Sequence, residues 1–139
     1  MTICVVDGRG GGLGSRIIKG LRSVAVEGHA VVGLGLNEAS AEAMAGAGAT
    51  CIETRAHAIN RQLGRAHMIV GSLSLLMPGA MLGEVTVELV RSILDSPARK
   101  FLLPLNRRKV EVVGLEGRTL DWLIDHAVEQ IVRATRSAA

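Results

Sequence analysis

A run of apolar, mostly β-branched residues, Thr2–Val6, leads directly into Asp7-Gly8-Arg9-Gly10-Gly11-Gly12-Leu13-Gly14. From Leu13 to about Arg22 the chain then places Ile17, Ile18 and Leu21 at helical spacing. An unbroken apolar strand fits a position covered on both faces, as in a parallel sheet. A turn bare of side chains between that strand and a helix lets the backbone come close to a diphosphate. The diphosphate charge then meets free N–H groups and the positive end of the helix. The strict G-x-G-x-x-G spacing fails, because its third glycine falls on Leu13 or Ser15; the G-x-x-x-G-x-G variant fits at Gly8, Gly12 and Gly14. No glycine pair five apart is followed by Lys and Ser or Thr, so the turn is not a Walker A loop. Asp7 through Gly14 therefore form the candidate phosphate- or dinucleotide-binding turn, with Arg9 as a counter-charge. The alternative is a tight turn with no ligand.

The rest of the chain repeats the alternation. Strands are expected at Ala30–Leu34, Thr50–Glu53, His67–Gly71 and Lys100–Leu105, and helices at Glu38–Ala47, Ala56–Gly64 and Thr86 to about Leu94. Thr86 is a candidate N-cap, Gly48 a helix stop, and Pro104 a gap in the last strand's hydrogen bonding. A sixth strand is expected at Val110–Val113, at the edge beside the fifth. Leu120, Leu123, Ile124, Ala127, Val128, Ile131 and Val132 form the stripe of a final amphipathic helix. These βαβ units predict one α/β domain over residues 1–139, a doubly wound, mostly parallel Rossmann-like sheet in three α/β/α layers, with strand order 3-2-1-4-5 plus the edge strand. Ligands in such sheets sit beyond the carboxyl ends of the strands where the order reverses, here between strands one and four.

Composition narrows the function. The 139 residues include no tyrosine and only Phe101 and Trp122 as aromatics, which excludes chemistry that needs a tyrosine acid. A net charge of +3 tolerates an anionic ligand, but without a basic patch interleaved with aromatics it argues against nucleic acid. The apolar stretch Met68–Gly83 is too short and too broken by Gly and Pro for a membrane span. No signal peptide is evident, and Cys4 and Cys51 lie in apolar runs, which predicts buried reduced thiols and a cytoplasmic protein. No Cys/His cluster has metal-ligand spacing.

Further candidates border the same crevice. Asn37, after the second strand, stands where an acid would grip a ribose; it can bind that sugar, cap the following helix, or do both. An amide there leaves NAD and NADP undistinguished, and Arg9 and Arg55 keep NADP in play. The apolar segment Gly71–Glu84 follows the fourth strand: Ser72 and Ser74 can hydrogen-bond a ligand, and Glu84 is its one carboxylate in reach. That segment is expected to be core, oligomer contact or pocket wall. His29 and His67 precede strands and fall at the opposite end; His57 is on the crevice side, and His126 on the last helix is expected to be solvated. Asn106-Arg107-Arg108-Lys109 reads as a charged hairpin tip or a phosphate contact.

The glycine turn, Gly35-Leu36-Asn37 with Met44 in the next helix, Met81-Leu82-Gly83-Glu84 and Leu103-Pro104-Leu105-Asn106 together resemble a small family of uncharacterised bacterial proteins, a domain of unknown function, over nearly the whole chain. The resemblance implies a Rossmann-like fold and no established activity. Over about fifteen residues the turn also resembles that of short-chain dehydrogenases, but their catalytic Tyr-x-x-x-Lys has no counterpart in a chain without tyrosine. The expectation is a nucleotide- or dinucleotide-binding domain, possible ligands NAD or NADP, acting in binding or sensing as a homo-oligomer. One alternative is an NAD(P)-dependent oxidoreductase whose site a second subunit completes. Another is an interaction module with a vestigial turn.

Overall fold

The computed structural model describes residues 1–24, 28–105 and 109–137. Five parallel strands, β1 (Thr2–Asp7), β2 (Ala30–Gly35), β3 (Cys51–Glu53), β4 (Met68–Ser72) and β5 (Arg99–Leu103), lie in the order β3-β2-β1-β4-β5. The register pairs Val5 with Gly33 on one side and with Val70 on the other. β1 is thus the central strand, and Ile3 to Val6 have essentially no exposed surface.

Helices cover both faces, which is why the strands read as continuous apolar runs rather than alternating ones. On one face α1 (Gly12–Ser23), α2 (Glu38–Gly46) and α5 (Leu120–Ser137) bring Ile17, Ile18, Leu21, Met44, Ile124 and Ile131 onto Ile3, Val5 and Val70. On the other, α3 (Ala56–Arg65), the 3₁₀ turn Leu73–Leu76 and α4 (Val87–Asp95) cover Cys4, Val6 and Ile69 with Ile59, Leu63, Leu75 and Ile93. Each such side chain taken out of water contributes about 1.5–3 kcal/mol. No described helix is long and apolar enough to cross a membrane.

Local chemistry sets the ends. Asn37 caps α2, its side chain accepting from Ser40 N at 2.8 Å, while Ser40 Oγ accepts in return from Asn37 N. Thr86 caps α4 through Leu89 N. Gly48, just past α2, takes φ +105°. β5 stops at Leu103, before Pro104, which has no N–H to continue the ladder.

Two expectations change. Among the described residues the sixth strand does not form: Val110 makes an isolated bridge, and Val113, 91% exposed, lies in a turn that leads to Gly114 at φ +99°. That segment buries too little apolar surface to offset the entropy of ordering it as a strand. Cys51 is exposed, because β3 is a short edge strand; Cys4 alone is buried, its thiol pushed up to about 12 by burial first and by Cys51 second. Of the basic tip, residues 106–108 lie outside the described residues; Lys109 is exposed at φ +60°.

At Gly35 a Cβ would lie 2.6 Å from Ala41 N and 2.9 Å from Ala41 Cα, backbone atoms that cannot turn aside. Gly35→Ala is expected to cost about 1–3 kcal/mol. Urea unfolding should show a lower midpoint at unchanged slope; an unaltered midpoint would mean that α2 sits farther from the sheet than described.

Candidate functional site

The site is built around the end of β1. Asp7, 6% exposed, turns its carboxylate back on its own loop: Oδ1 accepts from Gly8 N at 2.8 Å and Oδ2 from Gly14 N at 2.7 Å. Gly14 is the third residue of α1, so Asp7 satisfies a helix N–H that the N-cap, Gly11, has no side chain to reach. Gly11 needs φ +72°, and a Cβ there would strike Ser40 backbone at 2.7 Å. Gly14 is tight against side chains, with Met44 Sδ at 2.8 Å and Asp7 Cβ at 3.0 Å from where a Cβ would be.

A second carboxylate closes the front of the turn. Glu84 Oε1 accepts from Arg9 N at 2.7 Å and Oε2 from Asn37 Nδ2 at 2.5 Å. A Cβ on Gly8 would lie 2.7 Å from Glu84 Oε1 and 2.9 Å from Met81 Sδ. Glu84 is presented by a compact loop pinned by buried Ala80 and Val85 and by Gly79 N→Val85 O (2.8 Å) and Val85 N→Ala80 O (3.1 Å). Met81 and Leu82 both sit at φ +56°, a left-handed conformation costing of order 1–3 kcal/mol at each non-glycine residue. The strained pair lies just ahead of Gly83 and Glu84 in this loop.

What remains open is the back of the turn. Gly11 N bonds Gly8 O, but Gly10, Gly12 and Leu13 have N–H groups with no partner among the described residues. Gly10 and Gly12 are exposed, neither has a positive φ, and a Cβ on either would meet nothing within 4 Å. Among the described residues nothing requires glycine at these two positions. Arg9 is the reverse case: it holds φ +52°, which glycine would relieve, and its exposed side chain has no hydrogen-bond or ion-pair partner among the described residues.

The other candidates fall into place around this turn. Asn37 is both helix cap and anchor of Glu84. Ser72 and Ser74 are buried and bond each other, Oγ to Oγ at 2.8 Å, while Ser72 Oγ also accepts from Ser74 N to cap the 3₁₀ turn. Glu84 also borders a cleft of about 150 Å³ walled by Leu36, Thr54, Ile59 and Leu89. His57, Arg55 and Arg61 line a separate cleft of about 320 Å³ beyond β3. His67 Nδ1 accepts from Thr2 N and His29 Nδ1 lies 3.1 Å from the terminal amine, both at the far end of the sheet. The pairing of Glu84 with Arg9 and Asn37 had no signal in the local sequence, since the partners are 75 and 47 residues apart.

A glycine turn joining the central strand of a 3-2-1-4-5 sheet to its helix defines a Rossmann-like α/β domain. The chain belongs to the family known as domain of unknown function DUF3842, whose model matches residues 2–136. No curated protein sequence matches it. Its structure is similar to that of a dodecameric FMN-dependent Ubix-like decarboxylase from Escherichia coli O157:H7. The two share 12% identity and a TM-score of 0.56, over 97% of this chain and 94% of that one. At that identity the likeness establishes the fold alone.

Burial raises the Asp7 carboxyl above its ordinary 3.8; the N–H groups of Gly14 and Gly8 oppose the shift and the Glu84 charge adds to it. The folded protein therefore holds this proton more tightly than the unfolded chain does. The stability Asp7 contributes is full below the unfolded value and lost as pH rises through the raised one. Melting across a pH series should show wild type losing stability relative to Asp7→Asn through that window. A gain with rising pH would contradict the burial described.

Proposed function

We propose that this protein binds a phosphate-bearing nucleotide-type ligand at the start of α1, in a binding or sensing role. The reading rests on Gly10, Gly12 and Leu13: three unpartnered N–H groups, two of them on glycines that the packing does not require. Such donors at a helix start suit a phosphoryl group. Arg9, strained and unpaired, would supply the counter-charge. The donors of Gly8 and Gly14 are committed to Asp7, so the phosphate contacts would come from the back of the turn. Candidate ligands are NAD, NADP and, because the structural neighbour is FMN-dependent, FMN.

That neighbour is dodecameric, which supports a homo-oligomer here as well. A further support is an apolar cleft of about 260 Å³ between β5 and α5, walled by Phe101, Leu103, Leu115, Trp122 and Leu123, beside exposed Leu120. A second copy meeting this face would also allow a site shared between subunits, the arrangement an NAD(P)-dependent oxidoreductase of this size would need. Light scattering should give a mass above one chain, reduced by Trp122→Glu; a monomeric wild type would remove this part of the proposal.

The ligand itself is read by thermal shift. A true ligand at 100 times its dissociation constant adds about 2.7 kcal/mol, an upward shift of roughly 5–10 °C for a domain of this size. Gly12→Val should fold with stability within about 0.5 kcal/mol of wild type, since a Cβ at this exposed position meets nothing within 4 Å. It should lose the ligand-induced shift. A shift that survives in the folded variant would place the phosphate elsewhere.

A further inference from the structure

The Rossmann pattern expects an acid beyond β2 to grip a ribose, and this chain has Asn37 there. The structure brings an acid to that position from another part of the chain. Asn37 Nδ2 holds Glu84 Oε2, and Arg9 N holds Glu84 Oε1, so the carboxylate is fixed between the end of β2 and the glycine turn. A carboxylate has about four acceptor directions, and these two bonds use one on each oxygen. Two remain, on a side chain that is only half-buried and that borders the cleft walled by Leu36, Thr54, Ile59 and Leu89.

The parts follow one another in the order base, sugar, phosphate. A cleft of about 150 Å³ comes first, its apolar wall of Leu36, Ile59 and Leu89 edged by Thr54, Asn60, Thr86 and Glu88, then the oriented carboxylate, then Arg9 and the free N–H groups of Gly10, Gly12 and Leu13. We propose that Glu84 is the sugar-recognising residue: the site takes a ribonucleotide whose base enters the Leu36–Leu89 cleft and whose vicinal 2′- and 3′-hydroxyls donate to Glu84. The inference rests on the phosphate-binding reading above and specifies its ligand. Glu84 and Glu88 both border the cleft, so a 2′-phosphate meets negative charge and is rejected. The hydrogen bonds from Arg9 N and Asn37 Nδ2 keep the acid in place before any ligand arrives.

The test is calorimetric titration of the full chain with ADP, 2′-deoxy-ADP, AMP, adenosine 2′,5′-bisphosphate, NAD, NADP and FMN. Wild type should favour ADP over 2′-deoxy-ADP, AMP over adenosine 2′,5′-bisphosphate, and NAD over NADP, by roughly tenfold or more, as a hydrogen bond to a charged group implies. In Glu84→Gln these ratios should fall toward unity. Because each ratio compares two ligands on one variant, a general loss of stability cancels. Thr54→Trp, on the exposed rim, should abolish nucleotide binding while leaving inorganic pyrophosphate binding as in wild type, and it reads the cleft without disturbing the carboxylate. Ratios unchanged in Glu84→Gln, full nucleotide affinity in Thr54→Trp, or binding of FMN alone would each overturn this assignment and leave the phosphate site standing. Binding of no phosphate compound to wild type would overturn both.

Discussion

The architecture turns on a buried carboxylate. Asp7 ends the central strand and, through Gly8 N and Gly14 N, ties that strand to the first turn of α1. Burying a charge is costly unless it is hydrogen-bonded, and here two backbone donors at the helix start offset part of the desolvation. The contact favours a glycine at position 14, because a Cβ there would lie 3.0 Å from Asp7 Cβ and 3.2 Å from Asp7 Oδ2. It thereby fixes the angle at which α1 leaves the sheet, and so where Ile17, Ile18 and Leu21 enter the core.

The same contact divides the glycine turn into two chemically distinct halves. Its front is acidic and occupied, with Asp7 inside and Glu84 outside, and the Glu84 charge adds to the burial that opposes ionisation of Asp7. Its back carries free N–H groups, bare glycines and the unpaired cation of Arg9. A turn with all its donors open would hold a diphosphate over its whole length. In the proposed reading, this one offers a shorter stretch to an anion beside a carboxylate that can accept from hydroxyls, the complement of a phosphate followed by a sugar.

Much of the layer structure was legible because burial on both faces leaves a direct mark: β1, β2 and β4 are continuous apolar runs, and α5 carries a wide stripe. Caps were legible for the same local reason, as Asn37 and Thr86 act on residues three positions away. Val110–Val113 misled because its apolar content matched a strand while the segment stays largely exposed; Val113 stands almost fully in solvent. Cys51 misled similarly, since an apolar neighbourhood in sequence became a short edge strand with one side open. Ser72 and Ser74 have the hydroxyls a ligand would want, yet they satisfy each other.

Within the chain itself, residue spacing determined the alternation of strands and helices, the parallel sheet and the bare turn at its centre, because periodicity and glycine content act over a few neighbouring residues. The tertiary structure decided which of the turn's donors stay free and which carboxylate faces them. Those depend on Asp7 folding back on Gly14 and on a strained loop carrying Glu84 across to Arg9 and Asn37. Hydrogen bonds between groups so far apart along the chain exist only once the packing of both sheet faces has brought them within reach, and no local pattern records them.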